Sequence, residues 1–155
     1  MGSTCQIFGN FPMMIKFNDA KQSLSIQVHP NNMDALEMEH EYGKTEMWYV
    51  LEAEPGAFLY YGFTKEISKE EFRSRIEDGT LLEVLNAVPV KKGDLFYIPA
   101  GTIHAIGKGL VIAEIQQNSN STYRVFDFNR LGADGKPRPL HIDKAVEVTN
   151  LTPPP

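Results

Sequence analysis

Four side chains of metal-binding type stand where strands begin. Gln27 and His29 are two residues apart in Leu24-Ser25-Ile26-Gln27-Val28-His29, which alternates with period two, so their side chains leave the same face. Glu46 opens the aromatic run that contains Trp48 and Tyr49, with Lys44 two residues before it on the same face. His104 follows Gly93-Asp94-Leu95-Phe96-Tyr97-Ile98-Pro99-Ala100-Gly101, where a turn, an apolar strand and a Pro-x-Gly corner aim one imidazole at a fixed point. Together they form an N2O2 donor set. Imidazole suits zinc, iron, nickel or copper, a carboxylate completes a borderline site, and no cysteine is required.

Each member also has a bland reading. The Gln27/His29 pair could face solvent from the polar side of a half-buried strand, and Lys44–Glu46 could be a surface ion pair of little energetic consequence. A lone histidine in an apolar setting is more often structural than a ligand. The convergence of all four is what favours a metal site. The other two histidines, His40 and His141, lie in polar, loop-like segments.

Two more strands offer polar groups to a common interior. In Leu110–Gln117, Ile112, Glu114 and Gln116 share a face. In Tyr123–Phe128, Arg124, Phe126 and Phe128 share one. An arginine between aromatic residues is costly to bury without an anion, so Arg124 reads as a phosphate or oxyanion contact or as a snorkelling edge residue.

The elements that must position these groups are mostly short strands. Met13–Phe17 is an apolar run with Lys16 inside it, followed by a turn-like Asn18–Gln22. Leu95–Ile98 reads as a buried strand, or as an edge strand ended by Pro99. Glu46–Ala53, Ala57–Phe63 and Leu110–Gln117 are further strands, and Leu81–Val90 is open between helical turn and strand. Ser68–Asp78 is the one clear helix. Ser68 and Glu71 have capping-box spacing, Phe72 and Ile76 share a face, and Gly79 sits at the C-terminal cap. Asn31–Tyr42 is polar and holds at most one helical turn, and Leu131–Pro139 is a loop. Many strands, Gly/Pro turns and one helix predict an antiparallel barrel or sandwich. The 155 residues form one domain, with residues 1–10 as a lead-in and residues 150–155 as a disordered tail.

Composition excludes several classes. The net charge of −5 disfavours a nucleic-acid surface but leaves room for a small anion, which needs only a few local cations. No apolar run approaches the ~20 residues of a membrane helix, and no secretory leader is legible. The single Cys5 excludes an internal disulfide and fits a reducing, cytoplasmic setting.

The spacing Gly-x5-Pro-x-Gly-x2-His resembles the second motif of the cupin superfamily, with Lys108 where that motif has Asn. The ordered segments SIQVHPNN, GKTEMWYVL, AEPGAFLYYGF, GDLFYIPAGTIHAIG, LVIAEIQQNSNSTYRVFDFNR and LHIDKA resemble the class I phosphomannose isomerases, from Phe11 to Val148. The resemblance implies an all-β cupin (jelly-roll) barrel with one short helical insertion. It implies one zinc ion held by Gln27, His29, Glu46 and His104, with Arg124 in the active site and Lys44 in the substrate pocket. Lys44, Glu114 and Arg124 are the candidate contacts to a sugar phosphate. Asn31-Asn32 stands where the family has Asp-Asp.

Members of that family carry a segment before the matched region and a second β-barrel after it. Metal binding is expected to survive without them better than turnover. The implied reaction is the zinc-dependent interconversion of mannose 6-phosphate and fructose 6-phosphate through an enediol, with Arg124 and Lys44 as catalytic candidates. The alternatives are a non-catalytic sugar-phosphate-binding cupin and an iron-dependent cupin oxygenase. The sequence does not assign an oligomeric state.

Overall fold

The computed structural model describes residues 11–154. The lead-in over residues 1–10, with Cys5 in it, and Pro155 lie outside the described residues. Among the described residues nine strands form two antiparallel sheets. The first takes the order β1 (Met13–Ala20), β8 (Leu110–Gln117), β3 (Glu46–Ala53), β6 (Leu95–Ile98). The second takes the order β5 (Leu85–Pro89), β4 (Phe58–Phe63), β7 (His104–Ile106), β2 (Ile26–Val28), β9 (Tyr123–Phe126). Only β4 and β5 are both sequential and paired, so nearly every ladder is long-range, as in a jelly roll. The expected all-β cupin-type barrel is therefore present. Among the described residues no helix is long and apolar enough to cross a membrane.

Alternation along each strand divides the apolar side chains between two cores. Trp48, Val50, Leu59, Ile98, Ile106, Leu110 and Ile112 meet between the sheets. Ile26, Val28, Phe63, Ile103, Ala105, Tyr123 and Val125 leave the opposite face of the second sheet. There they pack against Phe72 of α2 (Lys69–Glu77) and against Ala145 and Val146 of α3 (Ile142–Val148). The β7 residues show the division directly: Ala105 joins the helix-covered core, while Ile106 joins the core between the sheets. Each fully buried aliphatic or aromatic side chain contributes roughly 1.5–3 kcal/mol.

Several local expectations are corrected. The described residues hold three short α-helices rather than one. α1 (Asn32–Glu39) is capped by the Asn31 side chain, which accepts from the Met33 and Asp34 amides. Only Ala35 of α1 is buried, so no apolar period announces the helix. α3 has no side-chain cap at its start and is held by burial of Ala145 and Val146. Leu81–Val90 realises both readings in series, a 3₁₀ turn at Leu81–Val84 and then β5. Ser68 does cap α2, accepting from the Glu71 amide at 3.1 Å, but the Glu71 carboxylate turns to Arg75 and Lys65 instead of closing the box.

Asn18–Ala20, read as a turn, continues β1, because its register with β8 runs on to Ala20↔Leu110. Leu95–Ile98 forms an edge strand rather than a buried one. Leu95 and Tyr97 are more than half exposed, since nothing among the described residues covers the outer face of the first sheet. The tail is ordered through Pro154. The Ile67 amide donates to Leu151 O at 3.1 Å, and Pro154 lies against Gly62 so closely that a Cβ there would meet its Cδ at 2.6 Å.

Candidate metal centre and its cavity

Three strand ends bring His29, Glu46 and His104 together, with one ligand-type atom from each lying within 4.8 Å of the others. His29 follows β2, Glu46 opens β3 and His104 opens β7. The Pro-x-Gly corner fixes their relation. Gly101 takes a φ of 86°, its amide donates to His29 O at 2.8 Å, and the Thr102 amide donates to Pro99 O at 3.1 Å. One histidine's approach turn is thus pinned to the other histidine's backbone.

Both imidazoles have a determined tautomer. His29 Nδ1 lies 2.9 Å from Ser121 O and His104 Nδ1 lies 2.8 Å from Thr102 O. A carbonyl oxygen only accepts, so each Nδ1 carries the proton and each Nε2 presents a bare lone pair. Both Nε2 atoms are buried and have no hydrogen-bond partner among the described residues. They face the Glu46 carboxylate, at 3.2 Å for His29 and 3.8 Å for His104. The second carboxylate oxygen accepts from Trp48 Nε1 at 2.9 Å.

Buried polar atoms are rarely left unpaired. Two orphaned imidazole lone pairs around a carboxylate are what a divalent cation fits. Burial, followed by repulsion from His29, pulls the His104 pKa down to about 4. Burial also lowers His29, partly offset by the Glu46 carboxylate 3.2 Å from its Nε2. Burial alone would raise the Glu46 carboxyl; its contact with His29, then His104 and Lys44 beside it, outweigh that and hold it well below the ordinary range. Neutral imidazoles and an ionised carboxylate are the forms that bind a metal.

Gln27 pairs in register with His104 on the neighbouring strand and lines the same cavity, and its side-chain oxygen accepts from Ser25 Oγ at 3.2 Å. That cavity, of about 390 Å³, opens beside the triad. Its wall includes Lys44 and Trp48 of the β3 segment, Glu114 of β8, Arg124 of β9 and Lys16 of β1. Lys44 is buried with Nζ 3.1 Å from Glu46, which excludes the surface ion-pair reading. Burial, followed by the nearby charge of Glu46, raises the Glu114 carboxyl; Lys44, Lys16 and the hydrogen bond from Asn18 act in the opposite direction.

Lys16 and Asn18 were not singled out from the sequence. Lys16 stands opposite Glu114 in register, donates to Gln116 Oε1 at 2.7 Å and pairs with Glu114 at 3.7 Å; Asn18 donates to Glu114 at 2.9 Å. The available signal was their alternation with Met13, Ile15 and Phe17. In this strand the apolar set faces outward, at 47–74 % exposure, and the polar set faces in.

Arg124 reaches the cavity without its expected aromatic neighbours. β9 ends at Phe126, and Phe128 takes a left-handed φ of 53°, which breaks the alternation. The two rings pack on each other at 4.9 Å and against the helix-covered core. Arg124 Nη1 donates to Pro139 O at 3.1 Å, while its buried Nε has no partner among the described residues.

No protein-family profile matches the chain. Curated relatives do. A mannose-6-phosphate isomerase of Streptococcus mutans is 49 % identical over 151 residues, covering 94 % of this chain and 48 % of that protein. The mannose-6-phosphate isomerase ManA of Bacillus subtilis is 48 % identical over 142 residues, covering 91 % and 45 %. Among solved structures, a mannose 6-phosphate isomerase from Bacillus subtilis superposes with a TM-score of 0.88 at 43 % identity, over 92 % of this chain and 45 % of that one. A phosphomannose isomerase variant from Salmonella typhimurium shares the fold, with a TM-score of 0.71 at 18 % identity. The chain spans about half the length of the curated relatives it matches. By sequence and by fold alike, it is a relative of the mannose-6-phosphate isomerases.

Proposed function

We propose that this chain is the catalytic barrel of a metal-dependent aldose–ketose isomerase that interconverts mannose 6-phosphate and fructose 6-phosphate. The observation that carries the reading is the pair of orphaned Nε2 lone pairs on His29 and His104, set around Glu46 at the edge of a cavity walled by Lys16, Lys44 and Arg124. The names of the relatives supply the substrate class, and a cytoplasmic setting fits a sugar phosphate.

The residues proposed to hold the ion are His29, Glu46 and His104, with Gln27 as the fourth ligand, and zinc is the ion that suits this donor set best. A bound cation supplies charge stabilisation to sugar oxygens that become more negative during the reaction. The chain's own groups do the rest. Isomerisation moves the proton on C2 of the open-chain aldose to C1 through an enediol while a second proton passes from O2 to O1, and one positioned acid–base group can carry the carbon-bound proton. Glu114 is the candidate: its carboxyl lies in the cavity and its raised pKa brings it closer to the range of a proton carrier. Arg124 and Lys16 offer cationic donors to the phosphate or to the enediol oxygens. Lys44, paired with Glu46, brings positive charge to the metal side of the cavity.

The test is a coupled isomerase assay on the 155-residue chain, with metal content measured on the same sample. Turnover that disappears with a chelator and returns with zinc supports the proposal, whereas turnover indifferent to chelation overturns the metal-dependent mechanism. Arg124→Ala should keep the metal and lose turnover; unchanged turnover removes Arg124 from the mechanism. The second reading is a sugar-phosphate-binding barrel without turnover. Thermal stabilisation by mannose 6-phosphate without conversion would establish it.

A further inference from the structure

We infer that His141 is a positioning residue for Arg124, a clamp that holds the free edge of β9 so that the guanidinium faces the cavity. The inference rests on the reading of Arg124 as a substrate contact. Among the described residues β9 is the last strand of its sheet and pairs only with β2. The Arg124 amide and carbonyl both turn to the unpaired edge, and both are taken by one residue. The His141 amide donates to Arg124 O at 2.8 Å, and the Arg124 amide donates to His141 Nδ1 at 3.2 Å. Two residues earlier, Pro139 O accepts from Arg124 Nη1 at 3.1 Å. One short segment therefore grips this arginine at three points, backbone and side chain together.

The ring is available for this because it does nothing for its own helix: α3 begins at Ile142 with no side-chain cap from His141. α3 is anchored in turn. Ala145 and Val146 are buried, and the Ala145 amide donates to His141 O at 2.9 Å. Ion pairs tie Lys144 to Glu39 of α1 and Arg73 to Asp143. A backbone N–H can only donate, so Nδ1 must be unprotonated and Nε2 must carry the proton. The charged groups facing the ring are Arg124 from β9, Lys144 from α3 and Glu39 from α1. Burial, followed by the charges of Arg124 and Lys144, lowers the His141 pKa and favours that neutral form.

The role calls for an acceptor at the Nδ1 position and nothing else of the ring. Asparagine carries an oxygen there, whereas glutamine and alanine do not. The experiment compares His141→Asn, His141→Gln and His141→Ala in the metal-loaded chain. It reads kcat and KM for mannose 6-phosphate, metal content, and hydrogen exchange at the Arg124 amide. His141→Asn should stay within about twofold of the parent. The other two should raise KM by about tenfold, the scale of one lost hydrogen bond, and speed exchange at Arg124 by a similar factor with metal content unchanged. Three variants that behave alike, in kinetics and in exchange, overturn the clamp. If the parent chain neither binds nor converts mannose 6-phosphate, the functional reading fails; the exchange contrast, which needs no substrate, still decides whether His141 holds Arg124.

Discussion

His104 shows how much a single residue's surroundings decide. Its ring lies 4.8 Å from that of His29 and edge-on to Trp48 at 5.2 Å, with Nδ1 spent on Thr102 O and only Nε2 left. A structural histidine would have both nitrogens satisfied. His104→Ala is therefore expected to abolish metal uptake, as measured by elemental analysis of the purified chain; full occupancy would remove it from the ligand set. Glu114 carries the acid–base expectation. Glu114→Gln keeps the shape and an acceptor for Asn18 but cannot exchange a proton, so turnover should fall by about 10²–10⁴-fold with metal content intact. An isomerase assay with undiminished kcat would send the search for the base elsewhere.

At the scale of elements, the site depends on turns and helix ends that strand alternation does not describe. The segment after β9 is one. Phe128 and Asn129 both adopt left-handed φ values, 53° and 55°, and Asp127 gathers the chain that follows. Its carboxylate accepts from Arg138 Nε and Nη2 at 2.7 and 2.6 Å and also pairs with Arg130. The Arg138 bonds, with those of Arg130, hold the Asp127 carboxyl below its ordinary value against the opposing effect of burial. A depressed carboxyl contributes stability that is complete above the unfolded value of about 3.9 and is lost as pH falls through the folded value. Asp127→Asn should therefore cost about 1–3 kcal/mol at neutral pH. It should also flatten the acid side of the stability curve. Denaturant melts across that range check both; an unchanged acid limb would show that the cluster contributes nothing.

At the scale of the molecule, two cores with different duties share one sheet. The helix-covered core stabilises the second sheet from behind, and the space between the sheets is apolar at one end and open to the cavity at the other. Phe72→Ala empties a fully buried position behind the sheet, about 3–5 kcal/mol of destabilisation, without touching a cavity residue. A denaturant midpoint that does not move would show that α2 adds little to the barrel. If the triad takes up zinc, the metal-stripped chain should gain about 2.7 kcal/mol on adding the ion at a hundred times its dissociation constant, seen as a rise in melting temperature. The outer face of the first sheet contrasts with both cores. Registered rows Ile15–Ile115–Met47–Tyr97 and Phe17–Ala113–Tyr49–Leu95 cross all its strands with no charge. The exposure of Ile15, Phe17, Leu95 and Tyr97 on this face follows from the absence of a covering layer among the described residues.

What the sequence by itself determined was most of the strands and the polar side chains that the fold gathers around one cavity. Alternation in Glu46–Ala53 and Leu110–Gln117, the Pro99-Ala100-Gly101 corner and the Ser68 cap all act within a few residues, so the one-dimensional pattern records them. Gln27, His29, Glu46, His104, Glu114 and Arg124 were legible as polar residues at or beside strand positions, and the roles proposed for them and for Lys44 rest on the family resemblance. Tertiary structure alone decided which face is inside. Period two marks two faces but gives neither a sign, and in β1 it is Lys16 and Asn18 that line the cavity while Ile15 and Phe17 meet solvent. It also decided α3 and the ordered tail. Their stability comes from surfaces contributed by distant strands, and His141 reads as an ordinary loop residue until β9 is beside it.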